Sequence, residues 1–342
     1  MIERNILPDR PRVFAGLCAG ALALSMGALG LGAAPAAAKE KVTYGYLIDP
    51  ALEGVLYAIK QGIVKSDKIE IDGKALAIPA LIQSTPTKRF DVLMNAVMAI
   101  PLAAKRGLKL VVLSSALRAG KGGLGAGIWV KKDSPYKTMA DLKGKTIGNY
   151  ALRATGTTWI RLALLKKYKL NVSYKGGDMN WVQIPAPALL TALETGRVDA
   201  ATLIHSQAYK ARGSGNYRVL AWTNKDIREL YGVDTVAAVN VTYPEKLAER
   251  PEAFREFNRM LYESVQYAVK NPDEVGAAIA KGGKISAAYF KAWLADYSYF
   301  PGAVSDADMK AMETIWSGAK EMGILKSVPK AADVVWEHAI RE

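Results

Sequence analysis

IWVKKDSPYKTMADLKGKTIGNYALRATGTTWIRLALL, residues 128–165, decides how this chain folds. An apolar strand, Ile128 to Val130, gives way to a Lys-Asp-Ser-Pro turn. A short Asp/Leu/Lys segment closed by Gly144 follows, then a second strand from Lys145 to Gly148. Ala154-Thr155-Gly156-Thr157-Thr158 then opens onto a run with helical spacing, Trp159, Leu162, Ala163 and Leu165. A strand feeding a small-residue turn at a helix start collects unpaired N–H groups, hydroxyls and the positive end of the helix dipole at one place. Arg153, Thr157 and Thr158 are therefore the first ligand-contact candidates. Thr155 or Thr157 would cap the same helix, a role compatible with binding.

The same rhythm extends in both directions. Val42–Ile48 reads as a strand and Pro50–Ile63 as a helix; Ile69–Ile71 and Lys74–Ile78 are strand material before a helix starting at Pro79. Short apolar strands recur at 90–94, 108–114, 180–184, 198–204, 218–222 and 236–241, with helical runs at 101–105 and 187–194. Strands alternating with short helices predict an α/β fold with a largely parallel sheet. From Pro251 the pattern turns helical, and its aromatic residues, Tyr289, Trp293, Trp316 and Trp336 among them, fall at core spacing. Gly120-Lys121-Gly122-Gly123-Leu124-Gly125 satisfies G-x-G-x-x-G, but Gly127-Ile128-Trp129-Val130 after it reads as a strand. A dinucleotide site needs a helix there, so a flexible interdomain crossing is the better reading.

Residues 1–38 combine Arg4, Arg10 and Arg12, an apolar run from Val13 to Leu31, and an Ala-rich ending at Ala38. That order describes a secretory signal peptide cleaved after Ala38. Cys18, the one cysteine, lies inside it, so the mature chain would have no disulfide, thiolate metal site or cysteine nucleophile. The full chain carries a net charge of +14. Without residues 1–38 it keeps 43 basic and 30 acidic residues, spread along the chain with no basic block. That distribution argues against a nucleic-acid partner and suits a soluble surface or an anionic ligand. About 300 mature residues suggest two packed domains.

The only histidines are His205 and His338, too few for a zinc site, and no metal or cofactor is expected. His205 follows the strand ending at Ile204, where α/β proteins place either ligand contacts or ordinary loop residues. No G-x-S-x-G, H-E-x-x-H or P-loop occurs, and Asp49, Glu53, Asp91, Asp178 and Asp199 offer no selected pair. The chain therefore reads as a non-enzyme.

Several segments together carry a family resemblance: Tyr44-Gly45-Tyr46; Phe90-Asp91-Val92; Val130 to Ser134; Thr138 to Lys145; Gly156-Thr157-Thr158; Pro185 to Ala201; and Arg250 to Phe254 through Asn271-Pro272-Asp273-Glu274. Their order and spacing resemble the nitrate/sulfonate/taurine-type substrate-binding proteins of ABC importers, which share a fold with the thiamine-pyrimidine-precursor group. The resemblance implies an α/β, type II periplasmic-binding-protein fold: two α/β lobes joined by two crossing strands, with C-terminal helices. Lobe 1 would be residues 39–127 plus 232–342, and lobe 2 residues 128–231. It further implies ligand contacts at Tyr46, Asp49, Asn95, Thr157, Thr158 and the end of the Val198 strand. There the family often shows Trp-Glu-Pro where this chain has Ile204-His205-Ser206.

The expected function follows. A monomeric periplasmic receptor would capture a small sulfonate, nitrate or carboxylate between its lobes and deliver it to a membrane permease and ATPase. The alternatives are a neutral pyrimidine or thiamine-precursor ligand, an enzyme on the same fold, and a transcription regulator, which would need an attached helix-turn-helix.

Overall fold

A computed structural model describes residues 38–282 and 285–342. Residues 1–37, with Cys18 and all but the last residue of the expected signal peptide, lie outside the described residues. The first strands in chain order are β1 (Glu40–Leu47), β2 (Ile69–Leu76), β3 (Val92–Ala96), β4 (Val111–Ala119), β5 (Ala126–Lys131) and β6 (Thr146–Asn149). They are followed by β7 (Asn180–Gln183), β8 (Ala200–Ile204), β9 (Tyr217–Ala221), β10 (Val236–Thr242) and β11 (Ser298–Tyr299).

These strands make two sheets, six-stranded β11-β4-β10-β3-β1-β2 and five-stranded β7-β6-β8-β5-β9. In the first, β1 runs parallel to β2 and β3, while β10 is antiparallel to β3 and β4. In the second, β6 is parallel to β7 and β8, and β5 is antiparallel to β8 and β9. The carboxyl ends of the parallel strands therefore gather on one edge of each sheet, and the chain crosses between those edges twice. One crossing joins β4 to β5 through residues 120–125; the other joins β9 to β10 and carries a helix, Thr223–Tyr231. The expected boundary at 127/128 falls inside β5.

Local predictions differ from the structure where short-range physics is weak. Pro50–Ile63 is two helices, Pro50–Val55 and Tyr57–Lys60, broken at Leu56. The two expected strand pieces at 69–78 are one continuous β2, because Gly73 pairs in register with Tyr44. His205, expected at a strand end, begins a helix, His205–Ser214, that buries only Ala208 and Ala211 and so shows almost no apolar periodicity.

The glycine run has a different reason from the expected flexibility. The backbone of residues 120–124 hydrogen-bonds to a π-helical turn, Trp293–Tyr297, through Gly122 N to Ala295 O (3.1 Å) and Leu124 N to Asp296 O (2.8 Å). A Cβ on Gly125 would lie 2.0 Å from Tyr297 O, and one on Gly122 2.4 Å from Asp296 Oδ1. Glycine is required here for close backbone approach.

The Thr155–Tyr168 helix is buried on most of its circumference, with Trp159, Ile160, Leu162, Ala163 and Leu164 all at or below 2 % exposure. Trp159 Nε1 donates to Val236 O of β10 (3.0 Å), and Leu162 packs on Gly318 of the Asp306–Glu321 helix. Each such large apolar side chain contributes on the order of 1.5–3 kcal/mol. The helix thus ties one half of the molecule to the other.

The Pro251–Lys270 helix buries Phe254, Phe257, Met260, Leu261, Val265 and Ala268, whereas Tyr267 and Val269 of the same helical run stay partly exposed. On its outer face Arg259 holds Glu256 bidentately (3.0 and 2.7 Å), lowering the carboxyl pKa from 4.5 to about 2. Because the unfolded chain binds the proton more readily, this pair adds stability above pH 4.5 that is lost as pH falls through about 2. The urea midpoint of Arg259→Gln is expected to drop less than that of the wild type over this range. Parallel midpoint curves would remove the pair from acid unfolding.

Candidate functional site

The facing sheet edges bring together residues from distant parts of the chain. Asp49 follows β1 and N-caps the Pro50–Val55 helix, its Oδ1 accepting from Ala51 N (2.9 Å). The Tyr289 hydroxyl lies 3.4 Å from the same oxygen, and burial together with Asp49 holds that phenol protonated. From the other sheet, the end of β8 delivers His205, half-buried, with a left-handed φ of 47°. Trp293 Nε1 donates to His205 Nδ1 (3.3 Å). Burial lowers the imidazole pKa, while the nearby Asp49 carboxylate acts in the opposite direction. Asp49 and His205, expected from different lobes, therefore sit within electrostatic range.

The helix start at Thr155 forms a second wall. Thr155 Oγ1 accepts from Met98 N (3.0 Å), linking the loop after β3 to this helix. Thr157 is fully buried, its hydroxyl 2.8 Å from Ala151 O and 3.0 Å from Asn149 Oδ1. The Thr158 hydroxyl donates to Ala154 O (3.1 Å). Both expected contact hydroxyls are thus engaged within the loop that shapes the helix start. Tyr150 fills the space over Gly156, where a Cβ would lie 2.2 Å from its phenol oxygen. Burial pushes the Tyr150 pKa up to about 12, against the pull of the Thr157 hydroxyl and N–H. Arg153 is exposed, without an ion pair among the described residues.

Two further expected contact residues, Tyr46 and Asn95, have their polar groups engaged by neighbours in their own half. Tyr46 is 2 % exposed, and its hydroxyl is held between Glu53 Oε1 (2.8 Å) and Lys60 Nζ (3.1 Å). Asn95 is buried, donating to Thr85 Oγ1 (2.8 Å) and accepting from Ala96 N (2.9 Å).

The aspartates in the family-like strings serve the fold at the opposite pole. Asp91, before β3, accepts from Thr43 N (2.9 Å), Lys246 and Arg250; Asp199, before β8, accepts from Thr146 N (2.9 Å) and the Tyr136 hydroxyl (2.6 Å). Each locks the start of one parallel strand to its neighbour. Sequence reasoning passed over Tyr289 and Trp293 as the partners of Asp49 and His205, since aromatic spacing reads equally well as core. His338 lies on the surface, with a 45 % exposed side chain. Among the described residues no cluster of three or more His, Cys, Asp or Glu could hold a metal ion, and no helix is long and apolar enough to cross a membrane.

Two α/β halves, each with the carboxyl ends of its parallel strands on the edge where the chain crosses over, define a protein of the periplasmic-binding-protein fold. The aliphatic sulphonate-binding protein SsuA of Escherichia coli is similar over 88 % of this chain and 98 % of its own, with a TM-score of 0.68 at 16 % identity. The Candida albicans CA3427 gene product, described as having the generic periplasmic-binding-protein fold, is similar over 88 % and 98 %, with TM-score 0.68 at 13 % identity. The desulfurization enzyme DSZB shares the fold too, over 88 % and 98 %, with TM-score 0.63 at 16 % identity. The sequence model of the NMT1/THI5-like family matches residues 82–275, and the chain belongs to that family. No curated protein matches it.

Proposed function

We propose that this protein is the periplasmic solute-binding component of an ABC importer, holding a small solute between Asp49 and His205 and handing it to a membrane permease and ATPase. The observation that carries the reading is the meeting of Asp49 and His205 from opposite sheets, each steadied by a buried aromatic of the C-terminal region. A solute bridging the two would favour the closed arrangement of the halves, the state a permease can recognise.

The solute class proposed is a small organic anion, sulfonate or carboxylate, that also carries a hydrogen-bond donor. Its acidic group would face the exposed Arg153, beside the helix start at Thr155 where the helix dipole favours negative charge. Its donor would face the Asp49 carboxylate. Nitrate, having no donor, suits this pair less well. A second reading, a neutral pyrimidine-type solute, is favoured by the carboxylate beside an imidazole whose pKa is lowered.

A thermal-shift screen against aminosulfonates, hydroxycarboxylates, nitrate and pyrimidines separates these readings, since a solute bound only by the native state raises Tm. For an organic anion, Arg153→Ala and Asp49→Ala are each expected to weaken Kd by about tenfold or more. Stabilisation by pyrimidines with no effect of Arg153→Ala would favour the second reading. Catalytic turnover of any solute, as the likeness to DSZB invites testing, would replace the receptor reading with an enzyme.

A further inference from the structure

His205 is held by more than its own chain requires. Its φ of 47° lies in the left-handed region, which costs a non-glycine residue about 1 kcal/mol or more. Strain of this kind persists where the surroundings over-determine it, and here the surroundings are identifiable. Facing it is the π-helical turn Trp293–Tyr297, a rare backbone form frequent at functional sites. Trp293 is fully buried and stacked on Phe290, ring centroids 6.1 Å apart and 15° from parallel. Its one polar atom, Nε1, is directed at His205 Nδ1. The His205–Ser214 helix then meets the same C-terminal segment twice more, through the Tyr209 hydroxyl to Ser286 Oγ (3.0 Å) and through Arg212 to Asp296 (3.4 Å). Positions 205, 209 and 212 share one helical face, so the ring has little freedom to turn away.

An indole N–H is a donor only. The imidazole nitrogen it meets must therefore present a lone pair, and a neutral imidazole with Nδ1 unprotonated carries its proton on Nε2. Nε2 has no hydrogen-bond partner among the described residues, and Asp49 is the carboxylate on the facing half.

We propose that Trp293 is a positioning residue that holds His205 as the Nε2–H tautomer, so that this half of the cleft offers the solute a neutral hydrogen-bond donor of fixed direction. The solute atom received there is an acceptor: a carbonyl, sulfonyl or carboxylate oxygen, or a ring nitrogen. The role rests on the cleft being the binding site, yet the tautomer itself can be read without any solute.

With only two histidines in the chain, 15N-histidine labelling in wild type and His338→Gln assigns both rings. At neutral pH and without solute, His205 is expected to show a pyridine-type Nδ1, a pyrrole-type Nε2, and a coupling across the hydrogen bond from the Trp293 indole N–H. A proton on Nδ1, or one averaged signal for both nitrogens, overturns the proposal. In Trp293→Phe, checked for folding by its Tm, the coupling is lost and the two nitrogen signals are expected to shift toward each other. Unchanged signals in a folded variant overturn the positioning role. If that variant does not fold, the wild-type coupling decides alone. A failed solute screen would count against the cleft reading and leave these spectra unaffected.

Discussion

Replacing Asp308 by alanine is expected to destabilise the protein by about 3 kcal/mol, within the 3–5 kcal/mol typical of breaking a buried ion pair. Asp308 is 1 % exposed, and its two oxygens accept from Arg118 Nε (2.7 Å) and Nη2 (2.6 Å). It is also the third residue of the Asp306–Glu321 helix, closing a capping box with Ser305: Ser305 Oγ accepts from Asp308 N, and Asp308 Oδ2 accepts from Ser305 N. One substitution therefore removes a helix cap, worth about 1 kcal/mol, and leaves the Arg118 guanidinium with only Glu342 as a charged partner (3.0 Å). Urea unfolding of Asp308→Ala, Asp308→Asn and the double variant Arg118→Leu/Asp308→Ala separates the two contributions. The asparagine should keep much of the cap and lose less. The double variant should recover part of the loss, because no unpaired charge stays buried. A loss under 1 kcal/mol for the alanine would mean that the pair is dispensable.

The second large effect is expected at Gly125. Its missing Cβ is the space taken by Tyr297 O, 2.0 Å from where a methyl carbon would stand. The neighbouring atom is backbone on a π-helical turn, so it cannot swing aside as a side chain could. Gly125→Ala should cost about 2–3 kcal/mol as the crossing is forced off the turn. Gly213 provides an internal control, since it lies within the His205–Ser214 helix with no atom within 4 Å of its would-be Cβ. Gly213→Ala should be neutral or stabilise by about 0.5–1 kcal/mol. Equal denaturation midpoints for the two variants would refute the close-approach account.

These two glycines show where sequence and structure part. The alternation of strands and helices was legible because it rests on local periodicity, and so was the helix opening at residues 155–158. The run at 120–125 was legible as a break but not in its cause. Flexibility and close approach both demand glycine, and only the turn at 293–297, some 170 residues away, distinguishes them. The site divides the same way. Asp49 and His205 follow strand ends, a position that sequence can mark. Tyr289 and Trp293 were read as core, and their rings are core, at 0 % exposure. Each directs a single polar atom at a partner that only the tertiary fold supplies. Thr157 is the converse, marked by its motif yet turned inward onto Asn149 and Ala151.

The burial of the Thr155–Tyr168 helix has a mechanical consequence. Thr155 receives Met98 N, Trp159 reaches Val236 O, and Leu162 sits on Gly318, so one side of the cleft is riveted by contacts out of reach of water. On the other side Tyr209 meets Ser286 through an exposed hydrogen bond that water can replace. The molecule is built like a bound book, with that helix as its spine and the Tyr209 side as its fore edge. Pulling the covers straight apart would tear the spine, whereas turning them about it parts only the fore edge. On the receptor reading proposed above, a solute would enter from one face of the protein, the face on which His205 stands.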